Sequence, residues 1–491
     1  MTANRFLVPS LQTYVMWMIP STTMSFSKIK QRIKNHLQKP HDYPSAPPPS
    51  HHHTPHPPPP HSYPSPNVSA PLPVPVGPHT NNPFTIEGIR LCRATWQHFW
   101  DARHSHFVTE KASTETVGDW HGYTLWPFVI GIEALLEAEA AAPGQFTSEI
   151  RTAFEACEKY RSRQRRGAYT AWVWFEGNDD VYYDDDAQVA IALLKAYELP
   201  TLRDRVYLIR AYEIVTFLFT GWDHKRGGMR WHVDKPEARN ACTTNLSAVA
   251  ALKLAAALQH TGQDPRSFGI PQSPGVADLL QFARNCSDWV VNELSEESGL
   301  IKDGAGGGPT WTYNTGTALY TVCLLQQFRA EEELAQRAYR LAEAAVDRGK
   351  SLFDQSNPSV EHRYWWDSTF FVQLLVEGLV EFVQVFGEFY PETAGQARLE
   401  LRRHCEYLMK YMKGRDGLYV RNLRLYVVSM DHLRMYQELT GDTGRGPALD
   451  ASERWSDEAS MKLPVEQRGI CKTLLGCGGA ARSLLIAGRI V

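Results

Sequence analysis

The chain has 491 residues, with 51 lysines and arginines against 54 aspartates and glutamates, and its formal charge of −3 is spread along its length. That balance excludes the basic field a nucleic-acid partner needs, shows no sustained acidic tail, and suits a neutral or small polar partner. Fourteen tryptophans, 21 tyrosines and 20 phenylalanines supply faces that stack on sugar rings, a use they share with large cores.

At the N-terminus, "RFLVPSLQTYVMWMIPS" is interrupted by Pro9, Ser10, Gln12 and Thr13, and no small-residue cleavage site follows. It does not read as a signal peptide, so the protein is expected in the cytoplasm, with secretion as the minority alternative. "SFSKIKQRIKNHL" is a short basic amphipathic piece, expected as a solvated helix. From Pro40 to Pro83 come 17 of the 31 prolines, together with the patch "PSHHHTPHPPPPHSYP". Such a composition buries too little apolar surface to offset its ordering entropy. Residues 1–83 are therefore expected as a disordered Pro/His-rich tail and 84–491 as the folded domain, with no metal site assigned to the histidines.

Beyond residue 84, apolar residues recur at three and four positions, and no alternating strand run with hairpin signals rises above the background. The spacing predicts helices near 86–103, 124–139, 147–164, 185–199, 201–220, 244–261, 275–294, 314–328, 331–351, 368–387, 394–412 and 472–489. These form six pairs. One member of each is small and apolar nearly all round, as in "LSAVAALKLAAAL", and its partner is charged on one face, as in "EEELAQRAYRLAEAAVDRGKSLF". All-round apolar helices must be buried and amphipathic ones must cover them, so the expected fold is all-α, an (α/α)6 barrel of six inner and six outer helices. An open solenoid competes, but the interval between inner helices runs from about fifty to over eighty residues, unlike a short equal repeat. No apolar run reaches the roughly twenty residues that span a bilayer. Eight scattered cysteines without CxxC spacing are expected as buried free thiols. "RSRQRRG" (161–167) is expected as the solvated end of an outer helix.

If the inner helices share one direction, the loops entering them converge on one face. They are "GDWHGYTLWP" (118–127), "GNDDVYYDDD" (177–186), "GWDHKRGGMRWHVDKPEARNACTTN" (221–245), "KDGAGGGPTWTYNTG" (302–316) and "EHRYWWDS" (361–368). Each mixes aromatic with polar residues, as needed to stack a sugar and bond its hydroxyls. Helix capping explains one or two of the five aspartates at 179–186, but not Asp184, Asp185 and Asp186 in a row. The segment lacks the spacing of a calcium loop. Crowded carboxyls shift each other's pKa values apart, and two carboxyls flanking a scissile bond are the equipment of glycoside hydrolysis.

The run "YYDDDAQVAIALLKAYEL" resembles the YDD element of glycoside hydrolase family 76, the endo-α-1,6-mannanases and related transglycosidases. "GWDHKRGGMRW" and "TWTYNTGTAL" are similar to two further elements of that family, in the family's order, and the similarity runs from roughly residue 90 to the C-terminus. The resemblance implies an (α/α)6 barrel acting by retention, with Asp184 as nucleophile and Asp185 as acid/base. Asp186 stands where the family more often has a neutral residue, and Gln188 where it often has Trp. Tyr183, Trp231, Tyr313, Asn314, Trp120, Trp365 and Asp367 are the expected sugar contacts. Trp222 falls on a second family aromatic. The implied substrate is α-mannan or a manno-oligosaccharide, with no cofactor and a monomeric chain. A transglycosidase on the same barrel and a catalytically silent carbohydrate-binding scaffold are the alternatives. An epimerase would instead use His121, His224, His232 or His362.

Overall fold

A computed structural model of the chain describes residues 81–108, 124–270, 274–455 and 457–491, and the expected tail falls outside them except at its last three positions. The helical periodicity is realised as α1 (Pro83–Phe99), α2 (Leu125–Ala141), α3 (Thr147–Cys157), α4 (Tyr183–Glu198), α5 (Arg205–Leu218), α6 (Ala241–Thr261) and α7 (Val276–Leu294). These are followed by α8 (Thr312–Phe328), α9 (Glu332–Val346), α10 (Thr369–Phe386), α11 (Pro391–Tyr407), α12 (Met430–Thr440) and α13 (Leu474–Ala487). Two antiparallel hairpins complete the named elements, β1 (Trp100–Asp101) with β2 (His106–Phe107) and β3 (Arg230–His232) with β4 (Lys235–Arg239).

The two helix classes of the sequence become two layers. Every residue of α13 is buried, as is every residue of α8 from Thr312 to Cys323. In α7 only one stripe is covered, Leu279, Phe282, Ala283, Cys286, Trp289, Val290 and Leu294, the spacing of a helix lying on a core. The inner helices pack side by side in the cycle α2, α4, α6, α8, α10, α13 and back to α2. Each is backed by an outer helix, α3, α5, α7, α9, α11 and, for α13, α1. The ring therefore closes, and the architecture is the (α/α)6 barrel.

Small residues let the inner layer close. A Cβ on Gly316 of α8 would lie 2.5 Å from the Leu374 carbonyl oxygen of α10, and one on Gly378 of α10 would collide with the Gly316 carbonyl. The first and last helices pack directly, Leu485 against Gly88, and Asn82 adds a tie: it caps α1 through Oδ1, accepting from Phe84 N at 2.9 Å, while its Nδ2 donates to the Val491 carbonyl at 2.6 Å. In the lower part of the barrel interior, Arg482 of α13 pairs with Glu133 of α2 at 2.9 Å and Glu377 of α10 at 3.0 Å, and donates to Gln373 Oε1 at 2.8 Å. Two inner helices, α6 and α10, have the length and apolar character of a membrane span, but most of that surface is buried within the barrel. All eight cysteines are free thiols, and only Cys242 is less than fully buried.

Three local expectations are corrected. The outer helix expected over 147–164 ends at Cys157 and tightens into a 3-10 turn over Glu158–Tyr160; in the loop that follows, Gly167, at φ +83°, lies so close to the Glu213 carbonyl that any Cβ would collide. "RSRQRRG" is therefore a loop rather than a helix end: Arg161 and Arg166 pair with Glu213 of α5, and Arg165 pairs with Asp179. The β3–β4 hairpin and α12 were not visible as periodic runs. The first is short and basic, and the second exposes most of its surface, burying only Leu433, Tyr436 and Thr440.

Candidate active site

The first turn of a helix leaves N–H groups without intrahelical partners. In this barrel the next loop round the ring supplies them. Leu125 N of α2 donates to the Ala171 carbonyl at 2.9 Å, Ala241 N of α6 to the Asp303 carbonyl at 2.8 Å, and Thr369 N of α10 to the Arg421 carbonyl at 2.8 Å. For α8 the acceptor is a carboxylate, with Thr312 N 2.7 Å from Asp367 Oδ2. At α4 the link is a bridge between Tyr182 and His232. Successive inner-helix N-termini are thus laced to successive loops, which puts those loops on one face.

The four aspartates Asp180, Asp184, Asp185 and Asp186 around the start of α4 have four different environments. Asp186 is fully buried, accepts from Tyr169 N at 2.9 Å through Oδ1, and leaves Oδ2 without a partner. Burial raises its carboxyl well above the usual range, and its one hydrogen bond ties the start of α4 to the backbone of the preceding loop. Asp180 accepts from Trp172 Nε1 and His232 Nε2, each at 3.0 Å. These bonds hold its carboxyl below the ordinary value although burial alone pushes it up.

Asp184 and Asp185 are half-buried, so solvent reaches both. Asp184 accepts from the Asp185 backbone N at 3.1 Å and from Trp231 Nε1 at 2.9 Å. Asp185 accepts no side-chain hydrogen bond among the described residues. Burial raises both, and for Asp185 the charges of Asp184 and Asp180 raise it further. Of the two, Asp184 has the donors that favour its ionised form. Burial raises the thiol of Cys242, at the start of α6, and the charges of Asp184, Asp303 and Asp185 add to the rise.

Of the expected sugar contacts among the described residues, Trp231 is half-buried beside Asp184, whereas Tyr313, Asn314, Asp367, Tyr183 and Trp365 are buried. Asn314 and the Tyr313 hydroxyl both donate to Asp303 Oδ1, at 3.2 and 2.8 Å. Asp367 sits under the α8 N-terminus, its carboxyl pushed up to about 7 by burial. Trp231 clamps Asp184 by its N–H edge and packs against Tyr182 and the Lys235 ammonium. Tyr183 is a correction: it is buried, stacks on Phe217 and shares a hydrogen bond with Thr220, so Tyr182 is the tyrosine beside the pair. Trp365 is the second, fully buried and stacked on His404 with ring centroids 3.7 Å apart. Its neighbour Trp366 is the accessible one, 5.1 Å from Trp311. From there an aromatic belt continues through Phe371 to Trp126 along the starts of α8, α10 and α2. Trp222 packs on Phe282 of α7. Trp120 and His121 lie outside the described residues.

Residues 94–420 match the sequence profile of Glycosyl hydrolase family 76. The chain is 32% identical over 436 residues to the Meiotically up-regulated gene 191 protein of Schizosaccharomyces pombe, covering 84% of this chain and 93% of that one. Its fold is similar to the family 76 mannosidase Bt3792 of Bacteroides thetaiotaomicron, with TM-score 0.60 and 16% identity over 82% of this chain and 98% of the other. It is also similar to an inactive variant, with two consecutive aspartates changed to asparagine, of the α-1,6-mannanase GH76A of Salegentibacter sp. in complex with α-1,6-mannotriose. There the TM-score is 0.58, with 16% identity over 83% of this chain and all of the other.

Proposed function

The chain belongs to glycosyl hydrolase family 76, and on that premise we propose that it cleaves α-1,6-mannan-type linkages with retention through Asp184 and Asp185. The observation that carries this reading is the asymmetry of the pair: a half-buried carboxylate stabilised by the Trp231 indole N–H beside a second carboxyl that has no such donor. Asp184, as the anion, attacks the anomeric carbon while Asp185 protonates the departing glycosidic oxygen, giving a glycosyl-enzyme. Asp185, now ionised, takes a proton from water as the water attacks that intermediate, and Asp184 departs as the carboxylate. The belt of Trp366, Phe371 and Trp126, joined by the buried Trp311, offers faces for further sugar units, while the buried Tyr313 and Asn314 donate to Asp303 and fix that carboxylate in place. Two consecutive aspartates are also the residues replaced in the inactive Salegentibacter mannanase.

The test is release of sugar from α-1,6-mannan by the wild type, Asp184→Asn and Asp185→Asn, with helical content followed by circular dichroism. Each variant is expected to lose at least about 10³-fold in turnover while remaining folded. Undiminished release by both variants overturns the assignment. Products with and without an added oligosaccharide acceptor separate hydrolysis from transglycosylation.

A further inference from the structure

Asp180 lies outside the pair, yet more of the surrounding architecture serves it than serves Asp185. Its Oδ2 accepts the Trp172 indole N–H from the loop before α4, and its Oδ1 meets His232 Nε2 from β3. The His232 ring is fixed on its other side, because the Asp234 backbone N–H donates to Nδ1 at 3.1 Å. A ring nitrogen that accepts carries no proton, so the imidazole proton sits on Nε2 and points at Asp180. Tyr182 packs edge-on against His232 with ring centroids 4.6 Å apart, which fixes the ring plane. On the same strand, the adjacent Trp231 donates to Asp184. One short strand therefore stabilises the anion on Asp180 and the anion on Asp184, and leaves Asp185 with neither donor.

We infer that Asp180, kept charged by the positioning donors His232 and Trp172, adds its repulsion to that of Asp184 and so helps to place the proton of the proposed pair on Asp185. The other groups around this arrangement are Asp184 and the buried Asp186 on α4, Tyr182 before it, Lys235 and Asp234 in the hairpin, and Cys242 on α6. Lys235 attracts Asp180 and so supports its ionised form, whereas Asp184 adds to the repulsion on Asp185. The catalytic meaning of the inference rests on the glycosidase reading, but its test does not.

The deciding measurement is a carboxyl-carbon NMR titration of protein labelled with ¹³C-aspartate, with the Asp185 signal identified by its loss in Asp185→Asn. In Asp180→Asn the Asp185 carboxyl is expected to titrate about one pH unit lower or more than in the wild type. His232→Leu shifts it the same way, and His232→Gln, which restores an N–H donor, brings it back. On α-1,6-mannan the alkaline limb of kcat/KM moves down with it. On a dinitrophenyl α-mannoside, whose leaving group departs without a proton, turnover is spared. An Asp185 titration that stays put in both Asp180→Asn and His232→Leu overturns the inference. A wild type that leaves mannan intact instead removes the glycosidase reading and leaves the titration result standing.

Discussion

The indole N–H of Trp231 lies 2.9 Å from Oδ2 of Asp184 and donates to it. A hydrogen bond to the charged form lowers a carboxyl pKa, and here it opposes the rise that burial imposes. On the proposed retaining mechanism Asp184 must be ionised, so this bond is expected to set the low-pH edge of activity.

Trp231→Phe keeps a ring and removes the donor. Without the bond, the Asp184 carboxyl rises further and needs a higher pH to ionise. The acidic limb of kcat/KM is expected to move to higher pH and kcat to fall about tenfold. A pH–rate profile checks this, and an unmoved acidic limb reduces Trp231 to a packing residue.

Trp365 and Trp366 are adjacent in sequence and opposite in expected effect. Trp365→Ala empties a core position against His404 and is expected to cost about 3–5 kcal/mol, read by chemical denaturation. Trp366→Ala is expected to leave the melting temperature nearly unchanged and to raise KM for manno-oligosaccharides several-fold at similar kcat. Equal destabilisation by both substitutions removes Trp366 from the sugar-binding belt.

Asp367 couples stability to pH. Its folded carboxyl titrates at about 7, above the ordinary value of 3.8. The folded state therefore keeps a proton that the unfolded chain releases. This contribution is complete below about pH 4 and is lost as pH rises through about 7. Asp367→Asn is fixed in the neutral state, and its carbonyl still accepts from Thr312. The melting temperature of the variant relative to the wild type is expected to rise from pH 4 to pH 8, and a flat difference refutes the coupling.

Arg482 neutralises two glutamates inside the barrel. Arg482→Met leaves Glu133 and Glu377 without their cation and is expected to cost about 3–5 kcal/mol near pH 8. Glu133 is already raised to about 7 by burial, so lowering the pH protonates it and shrinks the penalty. Denaturation at pH 8 and pH 5 measures the difference, and adding Glu133→Gln to Arg482→Met is expected to recover part of the loss at pH 8.

Period and burial class were readable in the chain, and that was enough for the fold. Twelve apolar runs alternating between all-round and one-sided patterns leave few ways to bury both classes, and a closed double ring is one of them. What lies within one residue of a helix start was harder to read. Whether Tyr182 or Tyr183, and Trp365 or Trp366, faces the site depends on the residue at which the extended chain turns helical, and neighbouring side chains there point to opposite sides. The division of labour among the aspartates was hidden for another reason. It depends on Trp172, Tyr169 and His232, which lie up to 52 positions away and carry no local signature. The aromatic loops as a group were visible, and so was the place of Asp184 and Asp185, the proposed pair, at the start of an inner helix.

The Asn82 side chain that starts α1 also holds the carbonyl of Val491. Topologically the barrel is a circle that happens to be cut there, and the cut sits on no loop that builds the aspartate site. Gly262, exposed, at φ +61°, and with nothing within 4 Å of where a Cβ would stand, offers another place for it, after the C-terminal end of inner helix α6. A circular permutant that fuses Val491 to Asn82 through a short linker and begins at residue 263 is expected to fold and melt cooperatively. In it the order of synthesis changes, and the site is reached from a different starting point on the same ring.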